Sequence, residues 1–102
     1  MRGLPEMASE LGLKEFEWDE NKRRLNVQNH GIDFIDAANA LRTGPRLDIE
    51  SYRNGELRTL SICPDTLKLI AVVFTMRGDL CRIISARTAR KDEQRKYRQI
   101  YN

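Results

Sequence analysis

This chain is poor in the residues that most often carry chemistry. It has one histidine, His30, and two cysteines, Cys63 and Cys81, which form no CxxC and lie far from His30 in sequence. A zinc site needs more ligands than these, so no metal and no cofactor are expected. The cysteines sit in strand-like segments and read as reduced, half-buried small hydrophobes. The alternative, a cross-strand disulfide, suits a cytosolic protein poorly. The longest apolar stretch, Leu69 to Phe74, is far too short to span a bilayer. The N-terminus lacks the charged-then-apolar layout of a signal peptide, so a cytoplasmic location is expected. No repeat, linker or low-complexity tract interrupts the chain. Trp18 is the only tryptophan; core packing is its first reading and base stacking the alternative.

What is present is charge, unevenly placed. A length of 102 residues with 40% hydrophobic and 32% charged residues describes one soluble domain with a modest core. From Arg77 to Asn102 there are eight Lys/Arg against three Asp/Glu, whereas residues 1–76 hold ten against twelve. The overall +3 thus hides a polarised molecule whose C-terminal quarter suits a polyanion.

Residues 1–14 read as an N-terminal extension, with a helical turn around Glu6–Leu11, and residues 15–102 as the domain proper. Phe16-Glu17-Trp18 alternates like a short strand. Asp19 offers an N-cap, and Gly31 the left-handed residue that ends the helix it starts. Asp33 and Asp36 resemble a capping box for a second helix. Its apolar stripe is Phe34, Ala37, Ala38 and Leu41, and Gly44-Pro45 stops it. Four strands follow, Leu47–Tyr52, Leu57–Cys63, Leu67–Thr75 and Leu80–Ala86, joined by short polar turns as consecutive antiparallel hairpins. Leu67–Thr75 is apolar on both faces apart from Lys68 and reads as a central strand. A last helix spans about Arg90 to Ile100. The expected fold is α+β, a small antiparallel sheet with helices packed on one face, in the order β-α-α-β-β-β-β-α.

Several of these residues carry a resemblance. Phe16-Glu17-Trp18-Asp19, Asn21-Lys22, Asn26, His30-Gly31, Phe34, Ala37-Ala38 and Arg58 match the pattern of the BrnT toxins. So do the run Arg82-Ile83-Ile84-Ser85-Ala86-Arg87, Glu93 and Tyr97. The match runs from residue 16 to about 98. The resemblance implies a RelE-like fold and a type II toxin that cleaves RNA and arrests growth. It implies a BrnA-type antitoxin as partner, in a hetero-oligomeric complex that represses its own operon, with operator DNA contacted only through the antitoxin. Glu20 stands where the family commonly has Pro. Arg90 stands where Thr or Ser is common, so the capping hydroxyl of the last helix is lost while Glu93 remains.

Metal-free RNA cleavage requires the 2′-hydroxyl to attack the adjacent phosphorus. The protein must then remove a proton, neutralise the phosphorane charge and protonate the leaving oxygen. Arginine suits the middle task, because its planar fork matches two phosphate oxygens. Arg87 ends a strand just before a helix begins, where helix-start amides would also meet a phosphate. Arg82 lies on the opposite face of an ideal strand, so both line one groove only if a twist or bulge intervenes. The alternative is that one of the two pairs with Asp48 or Glu50. Arg58, in another strand, would extend a phosphate platform or simply be solvated. His30 is a candidate acid or base, and its alternative is a cation at a helix C-terminus. Lys22, Asn26 and His30, spaced by four, form one polar stripe. Glu93 and Tyr97 would shuttle protons, with packing as the alternative for Tyr97. Arg90, Lys91, Arg95, Lys96 and Arg98 would grip RNA or an acidic antitoxin segment, or form an ordinary solvated face. A rival of another class stays open: an RNA- or protein-binding module without turnover, such as a toxin decayed to a corepressor.

Overall fold

The computed structural model describes residues 6–9, 12–66 and 68–101, the first of these segments as backbone only. The α+β class and the expected order are present, with one further strand at the front. The strands are β1 (Glu6–Ser9), β2 (Glu15–Glu17), β3 (Arg46–Arg53), β4 (Glu56–Asp65), β5 (Lys68–Arg77) and β6 (Leu80–Thr88). The helices are α1 (Glu20–His30), α2 (Phe34–Thr43) and α3 (Lys91–Ile100). The sheet runs β1-β3-β4-β5-β6-β2. The strands β3 to β6 form consecutive antiparallel hairpins, as the turn chemistry predicts, and β5, apolar on both faces, lies in the interior.

The expected helical turn is not found over Glu6–Ser9. That stretch pairs antiparallel with β3, satisfying an edge whose N–H and C=O groups would otherwise lack partners; residues 10 and 11 lie outside the described set. β2 also departs from a purely antiparallel sheet, because it pairs parallel with the start of β6.

The helix starts follow their capping chemistry. The Asp19 carboxylate accepts from the Asn21 and Lys22 amides, and Asp33 accepts from Ile35. Gly31 closes α1 in the left-handed region at φ 71°. The α2 stripe of Phe34, Ala37, Ala38 and Leu41 is fully buried, and Trp18 packs edge-on against Phe34.

The helices do not share one face of the sheet. Ile62 and Cys63 are consecutive on β4, hence opposite in direction, and each belongs to a different core cluster. The α1/α2 layer packs with Cys63, Ile70, Val72, Phe74, Cys81 and Ile83 on one face. On the other, Tyr97 of α3 packs with Leu47, Ile62, Leu69 and Ala89. The division follows from two independent buried surfaces: the apolar α2 stripe, and on α3 a narrow stripe of Tyr97 with the ion-paired Glu93.

Beyond Arg82 the outer edge of β6 has no strand partner among the described residues. Asn26 takes that place. Its amide donates to Ala86 O at 2.8 Å and accepts from Ala86 N at 3.1 Å, and it also donates to Ile32 O at 2.8 Å. The polar stripe expected on α1 is therefore split: Lys22 and His30 face solvent, and Asn26 is buried against the sheet.

Candidate functional site

The face that carries α3 is only partly covered. Its positions follow from the register. The row nearest α3 is Leu47, Ile62, Ala71 and Arg87. The middle row is Ile49, Leu60, Val73 and Ser85. Arg58 lies one residue beyond the Thr59–Phe74 pair, hence beside Thr75, which pairs with Arg82. Arg58, Arg82, Ser85 and Arg87 on this face are all partly exposed.

A bulge puts the two β6 arginines together. Val73 pairs with Ser85 and Phe74 with Ile83, so Ile84 is an additional residue on β6. The extra residue inverts the parity beyond it. Arg82 and Arg87 then face the same way, with Ser85 between them. Their partners on β5, Thr75 and Ala71, are four residues apart, which corresponds to about 13 Å of strand. Arg58, two strands from Arg82, is about 10 Å away laterally.

Each of these arginines has a carboxylate. Arg87 forms a bidentate pair with Glu93, at 2.8 Å and 2.9 Å, and also donates to Thr88 O. Arg82 meets Glu17 of β2 at 3.3 Å, and Arg58 meets Glu56 of its own strand at 3.3 Å. The alternative partners of Arg82 and Arg87, Asp48 and Glu50, are not used. Asp48 faces the α1/α2 side and pairs there with buried Arg46. Glu17 escapes a reading of the sequence because only strand register brings it to Arg82, whereas Glu56 lies two residues from Arg58 on the same strand and shares its face by parity.

Glu93 does two things at once. It grips Arg87 and accepts from the Arg90 amide at 2.8 Å, which is one half of a capping box. Arg90 cannot supply the other half, since a guanidinium has no acceptor. The hydrogen-bonded Arg87 guanidinium holds the Glu93 carboxyl below its ordinary value, against the opposing effect of burial. Glu93 in turn raises Arg87. The Arg90 amide at the strand-to-helix corner is thus already occupied.

The other predicted residues are distributed as follows. Tyr97 is buried, its hydroxyl donates to Pro45 O at 3.1 Å, and burial raises its pKa. Arg90 is exposed at the N-cap of α3, and Lys91, Arg95, Lys96 and Arg98 are exposed on the helix, with Arg98 donating to Gln94. Lys22 and His30 are exposed on α1, and no hydrogen bond or ion pair among the described residues links them to the arginine face. No three His, Cys, Asp or Glu side chains gather among the described residues as a metal ion would need. Two clefts of about 270 and 370 Å³ contain none of these arginines. The arginine site is an open sheet face bordered by a basic helix, a shape that admits a polymer.

No curated protein matches the chain. The family model described as "Ribonuclease toxin, BrnT, of type II toxin-antitoxin system" matches residues 18–93, from the start of α1 through Glu93. That span holds Arg58, Arg82, Arg87 and Glu93, and it is most of the chain: the protein belongs to the BrnT family of type II toxin–antitoxin ribonuclease toxins.

Proposed function

We propose that this protein is a metal-independent endoribonuclease that cleaves RNA on the face formed by Arg58, Arg82 and Arg87, and so inhibits translation and growth. The observation that carries this reading is the bulge at Ile84, which brings two arginines of one strand to the same partly open face. Arg87 is assigned to the phosphorane charge, since its guanidinium is oriented before substrate arrives and needs no reorganisation. Glu93 positions Arg87; a carboxyl held below its ordinary range is a poor proton acceptor near neutral pH. Arg82 and Arg58 hold flanking phosphates, and the exposed cations of α3 extend the track.

The partner of this reading is a BrnA-type antitoxin that covers the basic surface, in a hetero-oligomer that represses its own operon through the antitoxin's DNA-binding part. The toxin acts in the cytoplasm. Residues 15–102 form the toxin domain and residues 1–14 an extension added to it.

A second reading has its own observation. Each arginine of the face is paired with a carboxylate, and among the described residues no histidine is bonded to any of them. A corepressor that binds without turnover would look the same. Purified protein incubated with RNA in EDTA separates the two: cleavage supports the ribonuclease, and binding without cleavage supports the corepressor.

A further inference from the structure

The Ser85 hydroxyl has no hydrogen-bond partner among the described residues. It is half-exposed, on the middle row of the open face, with Arg82 on one side along β6 and Arg87 on the other. A strand without the bulge would keep Ser85 with Arg87 but turn Arg82 away. Beside Ser85 on β5 is Val73, and beyond it Leu60 on β4; neither offers a hydrogen bond from its side chain. The helix-start amide of Arg90 is taken by Glu93. Ser85 is therefore the uncommitted donor between the two guanidinium groups.

The field there selects the ligand. Two cations flank the hydroxyl on one strand, so an anionic oxygen is favoured over a neutral acceptor. We propose that Ser85 is a phosphate-binding residue of this site, donating its hydroxyl hydrogen to a phosphodiester oxygen of a single-stranded RNA held between Arg82 and Arg87. This rests on the proposed function and adds to it a residue that acts by a hydrogen bond and not by charge.

The test compares the parent with Ser85→Ala and Ser85→Thr in single-turnover cleavage of a single-stranded RNA. Melting temperature and the salt dependence of RNA affinity are measured alongside. Loss of a hydrogen bond to a charged oxygen should slow Ser85→Ala about tenfold to a hundredfold. Ser85→Thr, which keeps the hydroxyl, should recover most of the rate. The melting temperature should hold, and so should the slope of log affinity against log salt, because no charge is removed. Parental cleavage by Ser85→Ala, or an equal loss in both variants, would overturn the proposal. A parent that binds RNA without cutting it would defeat the ribonuclease reading instead. The variants would then be compared in RNA affinity, with the same order expected, and equal affinities would overturn the role of Ser85.

Discussion

Arg82 and Arg87, five positions apart on one strand, project from the same face of the sheet because Ile84 is one residue more than the neighbouring strand requires. A bulge of this kind re-aims side chains at the cost of a local break in the ladder. Here it turns a strand with one arginine on each face into a strand with both on the face that carries α3.

Arg87→Lys tests the fork. Lysine keeps the charge but cannot grip Glu93 in two places, nor two phosphate oxygens. Cleavage should fall about 10²- to 10³-fold, with a far smaller change in melting temperature. Arg87→Ala is the less informative variant, because it also strands the Glu93 carboxylate. Arg58→Ala should lower activity by less.

The Arg87–Glu93 pair also predicts an acid limb of stability. Glu93 is held below its ordinary value of 4.5 in the folded protein. Its contribution is therefore complete above that value and disappears as pH falls through the lower folded one. The difference in melting temperature between the parent and Glu93→Gln should be largest near neutral pH and shrink on acidification below about pH 4.5. A pH-independent difference would contradict the assignment.

Asn26 should matter more for the fold than its place on an exposed helix suggests. Asn26→Ala leaves the outward Ala86 N–H and C=O and the Ile32 carbonyl without their partner. Chemical denaturation should register a loss of about 2–4 kcal/mol. Asn26→Asp should also destabilise, since it removes the donors and buries a charge.

Gly12 is required for space. A Cβ there would overlap the Arg42 carbonyl at the end of α2, and backbone cannot move aside as a flexible side chain would. Gly12→Ala should cost about 1–3 kcal/mol in the same assay.

Cys63 and Cys81 should be inert to thiol reagents in the native protein. Both are fully buried in the α1/α2 core, and burial pushes each thiol up to about 12. Alkylation at pH 8 should await unfolding, and rapid labelling of native protein would count against this packing.

Much of this was legible in the sequence, for identifiable reasons. Asp19, Asp33 and Gly31 act through local backbone chemistry, so the ends of α1 and the start of α2 could be read directly. The hairpins from β3 to β6 followed from their turns. What failed was non-local. Residues 6–9 carry no strand signal of their own and take their conformation from the edge of β3. The placement of α3 on the far face depends on which of two adjacent residues, Ile62 or Cys63, each helix meets. Asn26 looked like one more polar residue in a stripe, because its partner is a strand edge sixty residues away. At the site, the residue types were readable but their pairing was not. Parity alone separates Arg82 from Arg87, and no sequence signal announces that Ile84 is extra. Glu93 looked like a proton shuttle, and its bidentate grip on Arg87 appears only once α3 is seated.

The most direct test of the central claim is cleavage of RNA by the purified protein in EDTA, run beside Arg87→Lys at a temperature where both are folded. The account predicts discrete new RNA ends from the parent, at a rate reduced at least about a hundredfold in the variant. Cleavage by Arg87→Lys at the parental rate would contradict the placement of the active site on this face.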